Sequence, residues 1–168
     1  MNPLGARMDG RGGAGPTHVL VATLGSAGDL YPFLSLARGL LARGHRVTLL
    51  GPQAHAAAVE AAGVPFEGVG TEDDYFEVLR HPDLWHPRKG FGVLWRAIEP
   101  ELDEVAGRIA GRAPGERLAL LAHPFMMPAA ALARAARPDL RIVAAWLAPT
   151  NLRSVRDPLR IGPRRVPE

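Results

Sequence analysis

The sequence predicts an α/β fold, an open, mostly parallel twisted sheet with helices on both faces. Three observations carry this. Five short apolar runs, at residues 18–23, 46–50, 66–69, 118–122 and 142–147, alternate with segments whose apolar residues recur at helical spacing. The first run is followed by a glycine turn, a helix and a second apolar run, the order of a right-handed βαβ unit. The 168 residues, 47% of them hydrophobic, suffice for one core and not comfortably for two.

Taken in order, residues 1–16 hold five glycines and no apolar core of their own, so they are expected to be a disordered leader and not a signal peptide. After the first strand, Gly25, Ser26 and Gly28 make a tight turn. A helix follows from about Tyr31, with Pro32 in its first turn and Phe33, Leu34, Leu36, Ala37, Leu40 and Leu41 on one stripe, and Gly44 stops it. The second strand completes the unit. Residues 53–62 read as a short helix closed by Gly63, and 66–69 as the third strand. Thr71 is a natural N-cap for a helix through Leu79. Two prolines make 81–89 a loop. A long helix then spans 90–111, with Phe91, Leu94, Trp95, Ile98, Leu102, Val105 and Ile109 as its apolar stripe and a kink expected at Pro100. Beyond the break at 113–115 come the fourth strand, a helix over 127–137 stopped by Pro138, and the fifth strand. Residues 17–150 thus form one domain. Residues 151–168 hold five arginines and three prolines and are expected to be an irregular tail.

Charge and cysteine content exclude several classes. The tail's five arginines against Asp157 and Glu168 account for the whole net charge of +3. The rest is balanced, so no nucleic-acid interface is expected. Without cysteine there is no disulfide or thiolate metal site, and a cytoplasmic location is permitted. The basic tail offers peripheral contact with the inner membrane as its functional reading, against that of a solvated segment. No apolar run approaches the roughly 20 residues that span a bilayer. His81, Asp83 and His86 lack metal-ligand spacing, so no metal is expected.

In such a sheet, ligands bind at the carboxyl ends of the strands. Three loops qualify: 24–31, 123–127 and 146–151. The first lacks the third glycine of a dinucleotide fingerprint, and the second strand ends in Leu49, Leu50, Gly51 and Pro52 with no acid to hold a ribose. Asp29 is a candidate general base for a hydroxyl brought to the sheet edge. Its other reading is a cap for the helix starting near Tyr31. His123 leaves the fourth strand on the same rim, either as a group orienting a carboxylate or as a hydrogen-bonded loop residue. Trp85, Phe91 and Trp95 either wall an apolar pocket or belong to the core.

The run ATLGSAGDLYPFLSLARGLLARGHRVTLL resembles the opening of bacterial GT-B glycosyltransferases that use a nucleotide-activated sugar. The later runs HPDLWHPRKGFGVLWRAIEP, LAHPF and AAWLAPT narrow the resemblance to the branch of the rhamnosyltransferase catalytic chain of rhamnolipid synthesis. That implies a Rossmann-like, acceptor-binding N-terminal half, with the tail leading toward a nucleotide-sugar-binding C-terminal domain. The implied reaction is inverting transfer of a hexosyl group from a nucleotide diphosphate sugar to a hydroxyl of a lipid or hydrophobic small molecule. The resemblance implies that Asp29 is the base, with Gly25, Ser26 and Gly28 shaping the acceptor cleft. Phe91, Trp95 and Pro149 are the remaining substrate-binding candidates. His123 is paired with Asp29 as a second catalytic candidate. No cofactor is expected on this half, which by itself should turn nothing over. The competing reading is a non-catalytic binding module or regulatory partner of a glycosyltransferase.

Overall fold

The computed structural model describes residues 17–147 and two short strands at 160–161 and 164–165. The expected leader, Pro149 and the rest of the tail lie outside the described residues. The order is β1 (His18–Ala22), α1 (Ala27–Leu41), β2 (Arg46–Pro52), a 3-10 turn (Gln53–His55), α2 (Ala56–Ala61), β3 (Phe66–Val69), α3 (Glu72–Arg80) and α4 (Gly90–Ala110). Then come β4 (Leu118–Ala122), a second 3-10 turn (Pro124–Met126), α5 (Met127–Ala136) and β5 (Arg141–Ala144).

The five strands form one parallel sheet in the order β3-β2-β1-β4-β5. Chain direction across the sheet therefore reverses between β1 and β4, and the loops leaving these two strands diverge to open a crevice. Alternation along the strands assigns the two faces. Leu20 and Ala22 of β1, Leu50 of β2, and Leu118, Leu120 and Ala122 of β4 join Ile98, Leu102, Val105 and Ile109 of α4 and the alanines of α5 in one cluster. Val19, Val21, Val47 and Leu49 face the other way, onto Leu30, Phe33, Leu34 and Ala37 of α1 and Val59 of α2. A strand sandwiched between two helical layers needs apolar residues at every position, and β1 is buried throughout. Truncating Leu20, which is wholly buried, to alanine costs about 2–5 kcal/mol.

The structure corrects the sequence reading in five places. Helix α1 starts at Ala27, ahead of Tyr31, because Ser26 and Asp29 form a capping box that nucleates the turn earlier. The segment 53–62 splits into a 3-10 turn and α2 at His55, whose φ of −98° and ψ of 0° leave the helical region. Strand β5 ends at Ala144, well before Leu147, with three of its four residues exposed. On α4 the stripe begins with buried Val93, while Phe91 is exposed. Finally, β6 (Arg160–Ile161) and β7 (Arg164–Arg165) pair antiparallel in a tail expected to be irregular. Two-residue strands are too short for alternation to reveal, although Gly162 and Pro163 between them are turn-forming residues. No helix among the described residues is long and apolar enough to cross a membrane.

Candidate functional site

The turn after β1 is built around one carboxylate. Ser26, as N-cap of α1, accepts the Gly28 N–H through Oγ at 3.2 Å, and Asp29 at N3 accepts the Ser26 N–H through Oδ2 at 2.9 Å. The Ser26 hydroxyl also donates to Oδ2, at 3.1 Å. Asp29 is therefore an N3 box partner and not the cap itself. Glycine is required at position 25 on two counts: its φ is +112°, and a Cβ there would stand 2.5 Å from Asp29 Oδ2.

The second oxygen, Oδ1, faces the β4 loop, 3.7 Å from His123 Nε2. The β4 strand ends at Ala122 beside Ala22 of β1, so His123 leaves the sheet next to the Asp29 turn. Its side chain is 9% exposed, packs edge-on against Phe33 and lies tilted against the Phe125 ring. Nδ1 accepts the Phe125 N–H at 3.2 Å, which assigns the proton of the neutral ring to Nε2, toward Asp29. Burial holds this imidazole below its ordinary 6.5, against the upward pull of Asp29. At 3.7 Å the pair is in electrostatic contact and is not a direct hydrogen bond.

Asp29 opens onto a cavity of about 890 Å³ that runs from the β1 turn along α3, the loop after it and the first half of α4. Val78, Leu79, Leu84, Trp85, Phe91 and Leu94 give it an apolar wall. Trp85 and Phe91 are 83% and 58% exposed. Its polar residues include Asp74, Tyr75, Glu101 and Glu104. Burial, reinforced by Glu104 and Asp74, pushes the Glu101 carboxyl up to about 7. Glu101 lies against Gly70, whose N–H donates to Glu104 Oε2 at 3.3 Å. Burial, with the Asp29 charge added, raises Tyr75 above 10.

Of the sequence candidates, Gly25, Ser26, Asp29 and Phe91 line the cavity. Gly28, Trp95 and His123 are not part of its wall. Gly28 sits two residues past the cap, where its N–H bonds Ser26 Oγ. Trp95 stacks beside Phe91, with ring centroids 6.3 Å apart, and packs against the core cluster of α4 and α5. His123 stands behind Asp29. Pro149 is outside the described residues. The sequence reading missed His55, Tyr75 and Glu101. His55, 9% exposed, contacts the Gly25 carbonyl through Nε2 at 3.0 Å, and Tyr75 packs edge-on against its ring. Only strand order brings these residues together, so no local spacing marks them. Among the described residues, no three His, Asp or Glu side chains are grouped to hold a metal ion.

Comparison with known proteins bears on the family and the fold. The chain is 30% identical over 127 residues to the O-mycaminosyltylonolide 6-deoxyallosyltransferase of Streptomyces fradiae, covering 74% of this chain and 30% of that one. It is 38% identical over 55 residues to a sterol 3-beta-glucosyltransferase of Cryptococcus neoformans var. neoformans serotype D, covering 33% and 4%. The calicheamicin glycosyltransferase CalG4 superposes with a TM-score of 0.58 at 27% identity, over 78% of this chain and 32% of that one. The chain thus spans less than a third of the length of each of these relatives. Its parallel, Rossmann-like sheet matches that of GT-B glycosyltransferases. Residues 19–113 match the glycosyltransferase family 28 N-terminal domain, and the chain belongs to that family.

Proposed function

We propose that this domain holds the acceptor of an inverting glycosyltransferase, and that Asp29 is the base that activates the acceptor hydroxyl. One observation carries the reading: a carboxylate at the β1/β4 switch point, lining a largely apolar cavity, has one oxygen tied into a capping box and its other oxygen outside that box, 3.7 Å from His123 Nε2. The capping box fixes the direction of the carboxylate. The cavity gives an acceptor an apolar surface beside it, and the Asp29 side chain remains 32% exposed.

In the proposed reaction an acceptor hydroxyl donates its proton to Asp29 Oδ1. The oxygen's electron pair attacks the anomeric carbon of the donor, and the bond from that carbon to the nucleoside diphosphate breaks on the opposite face. Configuration inverts and no enzyme-bound intermediate forms. His123, whose Nε2 stands 3.7 Å from Oδ1, stabilises the charge of Asp29 through that electrostatic contact. The nucleotide diphosphate hexose is bound by a C-terminal domain, and this domain contributes no cofactor of its own. The apolar wall and the exposed rings of Trp85 and Phe91 suit a lipid or hydrophobic small-molecule acceptor. The sterol named for one relative is an apolar alcohol of that kind, and the likeness to the rhamnolipid branch points the same way. We place the reaction in the cytoplasm, with peripheral membrane contact where the acceptor is a lipid.

The test uses the protein in which this domain is joined to its nucleotide-sugar-binding half, following nucleoside diphosphate release with hydroxylated apolar acceptors. Asp29→Asn is expected to lower kcat by about 10²–10⁴ while the acceptor KM stays within about threefold. An unchanged kcat would reduce Asp29 to its capping role.

A further inference from the structure

We propose that His55 is a positioning residue for this site, gripping the peptide that aims Asp29. The inference rests on the reading of Asp29 as base and adds a residue to it. A carbonyl oxygen can only accept, so the 3.0 Å contact between His55 Nε2 and Gly25 O requires the imidazole to donate. That carbonyl oxygen and the Ser26 N–H belong to one planar peptide unit. The unit is thus held at both ends, its oxygen by His55 and its N–H by Asp29 Oδ2 at 2.9 Å.

Three features make the grip consequential. Gly25, at φ +112°, is the residue whose backbone is least restrained by sterics, so the orientation of the following peptide is not fixed by the chain alone. Donation into the carbonyl polarises the peptide and strengthens its N–H bond to the carboxylate. His55 is itself fixed, as it is 9% exposed and lies at the junction of the 3-10 turn and α2. The Tyr75 ring packs against it edge-on, with centroids 5.2 Å apart and planes at 71°. Tyr75 also lines the cavity, so an acceptor lying against α3 bears on the same chain of contacts. The end of β2 thereby sets the aim of a carboxylate that follows β1.

His55→Phe keeps an aromatic ring and removes the donor, whereas His55→Gln retains an N–H donor. In the 168-residue chain, the Ser26 amide of His55→Phe is expected to exchange about tenfold faster and its resonance to move upfield, with a melting midpoint within a few degrees of the parent. His55→Gln restores most of both. Tyr75→Leu, which leaves the imidazole in place without its ring contact, moves the same signals less; it is the fallback if His55→Phe does not fold. In the two-domain protein, His55→Phe is expected to lower kcat about tenfold with the acceptor KM within about twofold. Unchanged Ser26 signals in His55→Phe, or equal damage in His55→Gln, overturn the proposal. So does a normal kcat in His55→Phe when Asp29→Asn is inactive. A normal kcat in Asp29→Asn instead removes the base assignment, and the Ser26 signals then report on the peptide grip by itself.

Discussion

Replacing Glu101 with glutamine is expected to stabilise the domain in a pH-dependent way. In the folded chain the carboxyl keeps its proton up to about pH 7, because it is partly buried and faces Glu104 and Asp74. Unfolded, it releases that proton near the ordinary 4.5. Between these values the folded state binds more protons than the unfolded one, so the contribution of Glu101 to stability falls as pH rises from 4.5 through 7. The gap corresponds to about 3 kcal/mol at the limit of full burial. Glu101 is only partly removed from water, and screening reduces the expected penalty at pH 8 to about 1–2 kcal/mol. Glutamine has nearly the same shape and no charge to bury. Urea denaturation of parent and variant should show Glu101→Gln more stable by that amount at pH 8, with most of the difference gone at pH 5. Taking the difference between the two proteins cancels the titration of the histidines in the same range. Equal stability at pH 8, or a gain of the same size at both pH values, would refute the account of Glu101 as a buried, charge-crowded carboxyl.

Other perturbations test separate parts of the structure. Gly25→Ala should cost about 1–3 kcal/mol in thermal or urea unfolding, because φ +112° and the nearby Asp29 Oδ2 both oppose a Cβ. His123→Gln in the two-domain protein should lower kcat about tenfold, less than Asp29→Asn, and unchanged turnover would count against the pairing of the two residues. Burial holds both His18 and His123 below the ordinary 6.5, so each favours unfolding as pH drops below that value. The urea midpoint of Glu101→Gln, freed of the opposing carboxyl, should therefore fall from pH 7 to pH 5. The 168-residue chain alone should release no nucleoside diphosphate from a sugar donor in the presence of acceptor, as measured by a coupled assay.

The scaffold was legible because its elements announce themselves locally. The uninterrupted apolar run of β1, the Thr71 cap of α3 and the four-residue strand β3 all lie where composition and capping chemistry put them. Boundaries set by side-chain bonds were not legible: only the reciprocal bonds of Ser26 and Asp29 reveal that α1 begins at Ala27. At the site, the glycine turn and Asp29 could be read from the loop, and His123 from its place after β4. His55 could not, since its role depends on the carbonyl of a residue thirty positions earlier in the chain. Glu101 was hidden for a different reason. A glutamate on an amphipathic helix looks solvated until packing against Gly70 partly removes it from water and Glu104 and Asp74 crowd it with like charge.

The adjacency of β1 and β4 has a consequence for biogenesis. During translation, a nascent chain that has emerged only as far as α4 already contains the Ser26–Asp29 box and the His55 contact partner, yet it has no imidazole to set beside Oδ1. That group arrives only after the long α4 excursion has closed and β4 has docked against β1, an event of high sequence separation and correspondingly high loop-closure cost. The Asp29–His123 pair is therefore completed late. A molecule that possesses it has already docked β4 beside the central strand β1, so polypeptides terminated before β4 lack it.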